Sequence, residues 1–183
     1  MLARSQVTPV AVDDVPYQLV AWDTLDQQRM GWLCFIPEAG IPNNIHATHT
    51  ELLKVFGGII ERFREPDDTW LLNHHDALTG REASRDASFI NDYAWAFNRE
   101  GGDLPIRLAD YYSLAREANG NTTLCHRKTG QVLLFAPDHA FDFVVPVDGC
   151  PEYTLYRING VETLSEWVDT IARQWLRHTR MSK

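Results

Sequence analysis

Alternation of apolar and polar positions in the middle of the chain predicts an antiparallel meander. Three apolar runs between residues 111 and 135 are separated by Asn119-Gly120 and by Lys128-Thr129-Gly130. Asn-Gly tolerates the positive φ angles of a tight turn, which is typical of a β-hairpin. The pattern therefore predicts three consecutive antiparallel strands, with the turns facing solvent.

Toward the C-terminus the apolar positions change from a period of two to a helical period. Thr163-Leu164-Ser165-Glu166 has the spacing of a capping box, which is typical of a helix N-terminus. An unbroken apolar stripe follows at Leu164, Trp167, Val168, Ile171, Ala172, Trp175 and Leu176. We expect this helix to pack its stripe, with Trp167 in the core, against the predicted sheet.

Two further helices are predicted earlier in the chain. The first has one apolar face and ends at Gly57-Gly58; this face contains Ile45, His49, Leu52 and Phe56. The second has capping-box spacing at Thr79–Glu82 and runs to Glu100, with Ile90, Tyr93, Ala94 and Phe97 on one face.

Short aromatic and β-branched runs predict the remaining strands. They cover residues 17–22, 32–36, 59–63, 70–73, 104–108 and 153–158, where the first two runs form either two strands or a strand and a loop. Together the elements predict an α+β fold, with helices packed against an antiparallel sheet. The length of 183 residues and the absence of a linker-like tract favour one domain.

The charge balance argues against binding to nucleic acid. Lys and Arg total 17 against 25 for Asp and Glu, a formal net charge of -8, which opposes binding to a phosphate backbone. An acidic chain of this kind suits a basic partner, or simply a solvated surface that keeps the protein in solution.

The apolar segments and the cysteines indicate the compartment. No segment approaches eighteen uninterrupted apolar residues, and the first residues lack a sustained apolar core. Cys34, Cys125 and Cys150 cannot all pair, and no C-x-x-C spacing occurs. We therefore expect reduced thiols in a cytoplasmic protein that does not contact a membrane.

Candidate catalytic or metal-binding residues are scattered. His46 and His49 have a spacing that can present two imidazoles to one metal, but the H-E-x-x-H pattern is absent and a helix cap or a half-buried pair also fits. Cys125 and His126 point apart on a strand, which argues against a nucleophile built from neighbours. Asp138-His139 fits either an acid–base pair at a strand end or a loop pair bonded to the backbone.

Motifs for catalysis or nucleotide binding are missing. No G-x-S-x-G, P-loop or G-x-G-x-x-G pattern occurs in the chain. We expect no catalytic residue, no metal and no cofactor. Among the aromatic residues, Trp95 and Phe89 fall off the predicted apolar face of their helix and are predicted to form an exposed patch.

Three segments taken together resemble the SUKH superfamily, the SMI/KNR-like domain of fungal cell-wall-assembly regulators and of many bacterial toxin-immunity proteins. They are IPNNIHATHTELLKVFGGI, YYSLAREANGNTTLCHRKTGQVLLFAPDH and TLSEWVDTIARQW, in the family's order. Ile41-Pro42 stands at the family's entry to its first helix, and Gly57-Gly58 stands at that helix's end. The resemblance covers about residues 41–175 and implies a SUKH-like domain at 41–183, with residues 1–40 as an extension packed on it. The first forty residues lack the family's opening helix, and residues 81–100 form an insertion.

The resemblance implies an immunity protein that binds and neutralises a cognate toxin, often a nuclease, without catalysis. An acidic inhibitor suits the basic substrate channel of a nuclease. The alternatives are a metal-dependent or small-molecule enzyme or sensor, and a regulatory scaffold.

Acidic residues with one aromatic anchor around a predicted turn are our candidate partner-binding residues: Glu61, Glu65, Asp67, Asp68 and Trp70. Alternatively, this is a solvated turn with Trp70 facing the core. Reversing Asp67 and Asp68 to lysine is predicted to slow association with the toxin.

Overall fold

Ten strands pair edge to edge in one antiparallel sheet in the computed structural model, which describes residues 5–37, 39–64, 75–97, 104–139 and 142–179. The strands are β1 Gln6–Val12, β2 Val15–Asp23, β3 Arg29–Phe35, β4 Ile59–Phe63, β5 Asp76–Ala77, β6 Tyr111–Arg116, β7 Thr122–His126, β8 Val132–Phe135, β9 Val144–Pro146 and β10 Leu155–Ile158. Their order in the sheet follows the chain from β1 to β8, and then β10 and β9 complete it.

A few short helices accompany the sheet. They are α1 Ala47–Leu53, α2 Gly80–Ala83, α3 Leu164–Leu176 and the 3₁₀ helices Ala87–Phe97 and Leu108–Asp110. The predicted α+β fold with helices against an antiparallel sheet is confirmed at this level. The first forty residues supply β1, β2 and β3, which continue the same sheet as the rest of the chain.

The predicted meander is confirmed as β6, β7 and β8. Gly120 (φ 99°) and Gly130 (φ 71°) stand in the two turns, where positive φ angles disfavour other residues. Successive side chains of these strands point to opposite faces of the sheet. Tyr112 and Cys125 therefore enter one hydrophobic cluster, whereas Tyr111 and Leu124 enter another.

The first cluster lies between the sheet and the helices α1 and α3. Helix α3 begins at the predicted capping box, in which the side chains of Thr163 and Glu166 bond reciprocally to backbone N–H groups. Trp167 and Trp175 are fully buried there, which confirms that the stripe of α3 is core.

Three tryptophans meet edge to face in this first cluster. Trp22 and Trp32 project from β2 and β3, and Trp175 reaches them from α3. The ring centroids of the three pairs are 4.9, 5.1 and 5.5 Å apart, with interplanar angles of 71° to 76°. Such T-shaped pairs are a preferred aromatic geometry, and they join the sheet to the closing helix.

The second cluster lies on the opposite side of the sheet, over β6, β7, β8 and β10. The 3₁₀ helix Ala87–Phe97 covers this side with the buried residues Ile90 and Phe97. The prediction of one regular helix from Thr79 to Glu100 is wrong within the described residues. The short α2 precedes the 3₁₀ helix, whose backbone departs from helical geometry at Tyr93 (φ -107°, ψ 16°).

Two other predictions of local structure are corrected. Residues 104–108 do not form a strand; irregular chain leads into the 3₁₀ helix Leu108–Asp110 and then into β6. Helix α1 ends at Leu53, before Gly57-Gly58. Glycine is required at position 57 because two segments of the chain approach closely there, and a Cβ would collide with the carbonyl group of Phe35.

Candidate functional site

One face of the sheet over β1 to β4 carries apolar side chains that belong to neither hydrophobic cluster. We call this surface the open face. Its apolar members are Val10, Val12, Val15, Tyr17, Leu19, Leu33, Phe35 and Phe63. Because β2 and β3 point Val20, Trp22, Trp32 and Cys34 to the α1/α3 side, the alternate residues of these strands must point to the other side.

The register of the strands arranges the open face in rows. Leu19 pairs with Leu33, which pairs with Glu61, so these three side chains form a row across β2, β3 and β4. Tyr17 pairs with Phe35 in the next row, and their ring centroids are 5.6 Å apart. The rows join into one continuous apolar surface.

The exposure of the open face is high for side chains of this kind. Val12, Val15 and Phe63 are 48%, 43% and 46% exposed, and Leu19, Leu33 and Phe35 are half-buried. Large contiguous apolar patches on a protein surface mark interaction sites, whereas single exposed apolar residues need no explanation. The open face is therefore our candidate functional site.

Acidic groups lie within and beside the open face. Glu61 is exposed and stands in the Leu19–Leu33 row. Asp13 and Asp14 form the turn between β1 and β2, at the end of the face where Val12 and Val15 lie. Within the described residues, none of these three carboxylates takes part in an ion pair. The face therefore combines apolar area with negative charge.

Two arginines near the open face are paired with other carboxylates. Arg29 at one end bonds to Asp23 (3.4 Å) and to the side chain of Gln6 (2.5 Å). The guanidinium of Arg81 lies 5.2 Å from the ring centroid of Phe35, and its nitrogens bond to Asp76 at 2.7 and 3.0 Å. Within the described residues, neither of these two arginines forms an ion pair with Glu61, Asp13 or Asp14.

A buried polar network borders the open face on the side of β5 and β6. Glu82 is 1% exposed; it accepts a hydrogen bond from Ser113 at 2.5 Å and forms ion pairs with Arg85 (3.4 Å) and Arg116 (3.8 Å). The predicted capping box at Thr79 is half formed: Thr79 caps the N–H of Glu82, but the Glu82 side chain is engaged with Ser113. A cleft of about 540 Å³ beside Arg85 and Arg116 is lined by these charges.

Of the five residues predicted to bind a partner, the structure describes one. Glu61 lies on the open face, whereas Glu65, Asp67, Asp68 and Trp70 fall outside the described residues, as does the strand predicted at 70–73. The apolar members of the open face were not predicted as site residues. Their only sequence signal is the alternation in β2 and β3. The apolar residues of these strands that face away from α1 and α3 are not covered by a helix among the described elements.

The two histidines of α1 have separate structural roles. His46 is the N-cap of the helix and accepts a bond from the Thr48 N–H through Nδ1 (3.3 Å). His49 is fully buried, with Nδ1 3.1 Å from the hydroxyl of Tyr112 and Nε2 3.1 Å from the carbonyl oxygen of Leu78. Burial lowers the pKa of His49 to about 4. A neutral imidazole with the proton on Nε2 satisfies both contacts.

The cysteines lie in the interior or near it. Cys125 is fully buried, and burial raises the pKa of its thiol to about 11. His126, its neighbour, faces the other side of the sheet, where its Nδ1 accepts bonds from the N–H groups of Lys128 and Thr129. Burial also raises the pKa of Cys34 to about 12. A protonated thiol is a poor nucleophile, so neither buried cysteine suits covalent catalysis.

Asp138 and His139 join a cluster at the β6–β7 turn. Asp138 lies 3.0 Å from His139 Nδ1 and accepts a bond from Asn119, while His139 Nε2 lies 3.8 Å from Glu117. Burial raises the pKa of Glu117. This arrangement fixes the loop after β8 to the turn between β6 and β7. Within the described residues, no three His, Cys, Asp or Glu side chains are placed to hold a metal ion.

The predicted aromatic patch on the 3₁₀ helix is half correct. Trp95 is 77% exposed, as expected. Phe89 is half-buried and packs edge to face on Phe135, with ring centroids 5.8 Å apart.

Comparison of the chain with protein-family models, with curated proteins and with solved structures finds no match in any of the three. Among the described residues, no helix has both the length and the apolarity needed to span a membrane.

Proposed function

We propose that the chain is a toxin-neutralising immunity protein with a SUKH-like fold, which binds a basic partner protein through the open face and carries out no catalysis. The observation that carries the proposal is the open face itself: apolar rows across four strands that lack a covering layer among the described elements and that include Glu61. Burial of such a surface by a partner releases water from apolar side chains and supplies the main driving force for association.

The charge of the molecule supports a basic partner. The whole chain has a formal net charge of -8, and Glu61, Asp13 and Asp14 have no ion pairs within the described residues. Complementary charge accelerates encounter and suppresses wrong partners. A basic toxin, such as a nuclease with a cationic substrate channel, has the chemistry that this surface recognises.

The local features behind the SUKH resemblance support the proposed fold family. The segment with Asn119-Gly120 forms the hairpin between β6 and β7, and Thr129-Gly130 forms the next turn. The segment TLSEWVDTIARQW forms the closing helix α3.

Two residues that the enzyme alternative would use, Cys125 and His49, have structural roles. The thiol of Cys125 is buried and protonated, and His49 is held between Tyr112 and Leu78 in the core. These roles favour a binding function over the enzyme alternative.

The proposal is tested with the protein encoded immediately beside this chain. We expect that neighbour to inhibit growth when it is expressed alone, and growth to recover when the chain is co-expressed. Leu33→Asp places a charge in the centre of the open face, and should weaken binding by about 100-fold or more, as expected for a central interface residue. Surface plasmon resonance measures the change, and thermal unfolding verifies that the variant is folded.

Val55→Asp is the matched control, because Val55 is 74% exposed just beyond α1 on the other side of the sheet. It should leave both binding and growth rescue unchanged. Equal binding by the wild type and Leu33→Asp would exclude the open face as the interface. A toxic neighbour that the chain neither binds nor neutralises would refute the immunity function for that pair.

A further inference from the structure

We infer that the open face receives an amphipathic α-helix of the partner, with one lysine or arginine in its apolar stripe seated on Glu61. This inference rests on the proposed function, since it specifies the chemistry of the partner at the same surface. Four observations carry it: the dimensions of the face, the helix that covers the neighbouring strands on the same side, the charge of Glu61 among the apolar side chains, and the character of the sheet edges.

The open face is long and wide enough to receive one helix. Four strands about 4.8 Å apart give a surface about 15 Å across, and the run from Val15 to Ala21 on β2 extends it for roughly 20 Å. An α-helix with its side chains is about 10 Å wide, and about 14 residues of helix span roughly 20 Å. One helix therefore covers the width of three strands, such as β2, β3 and β4 with Leu19, Leu33 and Glu61.

In another part of the sheet, the same side is covered by a helix of this chain. Over β6 to β8, the 3₁₀ helix Ala87–Phe97 packs Ile90 and Phe97 on the side to which the open face belongs. The network of Asp76, Arg81 and Glu82 separates that layer from the open face. A partner helix on β1 to β4 would complete the same layer next to this network.

Glu61 determines the charge that the helix must carry. It stands in one row with Leu19 and Leu33, so a partner that covers the apolar row also covers the carboxylate. The backbone N–H of Arg62 donates to its Oε1 at 3.1 Å, which leaves the second oxygen for a further donor. A covered carboxylate without a cation is strongly unfavourable, whereas a lysine or arginine beside it restores the balance of charge. Asp13 and Asp14 at the end of the face add to the attraction for a basic helix.

The alternative occupant, an added β-strand, is disfavoured at both edges of the sheet. Pro9 lies within β1 at one edge, and Pro146 lies within β9 at the other. Proline lacks the N–H that a further strand would use, and it is a common device for protecting sheet edges. A partner can therefore pack on the open face, whereas neither edge of the sheet favours hydrogen bonding to an added strand.

A selection with two peptide libraries on phage tests the inference on the full-length chain. One library presents peptides of about 16 residues with an apolar stripe at helical spacing and a randomised centre; the other presents peptides of the same length with alternating apolar residues. We expect enrichment from the helical library only, with lysine or arginine at the centre. When the same libraries are selected on Glu61→Lys, aspartate or glutamate should replace lysine or arginine at the centre of the peptides. The peptides selected on the wild type should bind Glu61→Lys at least tenfold more weakly.

Glu51→Lys is the matched control, because it makes the same charge change at an exposed glutamate on α1, on the other side of the sheet. It should select the same peptides as the wild type. Enrichment of alternating peptides, a central residue that does not respond to Glu61→Lys, or no enrichment from either library would overturn the inference. The toxin is not used in this selection, so each of these results is distinct from a failure of the proposed function.

Discussion

His49 shows how one buried polar residue links stability to pH. Its two ring nitrogens contact Tyr112 and Leu78 in the core, and its pKa is lowered from 6.5 to about 4 because burial disfavours the charged form. Well above pH 6.5 the imidazole is neutral in the folded and the unfolded chain alike. Below it, the unfolded chain binds a proton that the folded chain does not, so acid favours unfolding.

We therefore expect the free energy of unfolding to fall as the pH is lowered from 6.5 to 4, by roughly 3 kcal/mol from this residue alone. Urea unfolding at a series of pH values measures the slope. His49→Gln should reduce the slope in this window even though it lowers the overall stability. His75→Gln, at an exposed position, should preserve the slope. Equal slopes for wild type and His49→Gln would show that the proton is taken up elsewhere.

At the scale of elements, the closing helix is held by its buried apolar stripe and by one capping box. Trp167 is fully buried in the cluster between α3 and the sheet. Replacing it by alanine leaves a cavity that the neighbours cannot refill, so Trp167→Ala should destabilise the chain by about 3 to 5 kcal/mol. Chemical denaturation provides the value, and Asp169→Ala on the exposed side of α3 provides the comparison. A shift of less than about 1 kcal/mol for Trp167→Ala would contradict this account.

The edge strand β1 is exposed along nearly its whole length. Pro9 lies within it and lacks the N–H through which another strand could pair with this edge. Pro9→Val restores an N–H to a β-branched edge strand, and this change should promote self-association by strand pairing. Sedimentation velocity over a range of concentrations would reveal the oligomers. Adding Val7→Lys to Pro9→Val should return the protein to its original state, because a lysine discourages edge pairing. Identical sedimentation of Pro9→Val and the wild type would show that Pro9 has no protective role.

For the molecule as a whole, the two hydrophobic clusters share the same strands. Tyr111 and Tyr112 are neighbours on β6 yet belong to different clusters. Loss of either cluster therefore removes one face of the shared sheet, and the clusters should unfold together. Phe135→Ala in one cluster and Trp175→Ala in the other should each shift a single transition, with near- and far-ultraviolet circular dichroism coincident. Separate transitions in either variant would show that the clusters are independent.

Sequence patterns predict those parts of the molecule in which local chemistry and packing agree. The meander and α3 follow from clear periods with matching turn and capping residues. The region after Thr79 was predicted wrongly because Glu82 bonds to Ser113 on a distant strand, and because the backbone at Tyr93 leaves helical geometry.

The open face was missed as a site for a different reason. Alternation predicts that β2 and β3 have two faces, but not which face a helix of the same chain will cover. Only the pairing of Leu19, Leu33 and Glu61 across three strands brings those side chains into one row. Long-range register of this kind is not encoded in any local window of the sequence.

The contact of Trp22, Trp32 and Trp175 gives the folded chain an optical property. Indole rings held about 5 Å apart at steep angles couple their electronic transitions, and the coupled states absorb left and right circularly polarised light unequally. Trp22 and Trp32 project from the strands whose other side carries Leu19 and Leu33. A partner that twists these strands would therefore change the ellipticity of the tryptophans without touching them. Binding at the open face can then be followed by circular dichroism without a label.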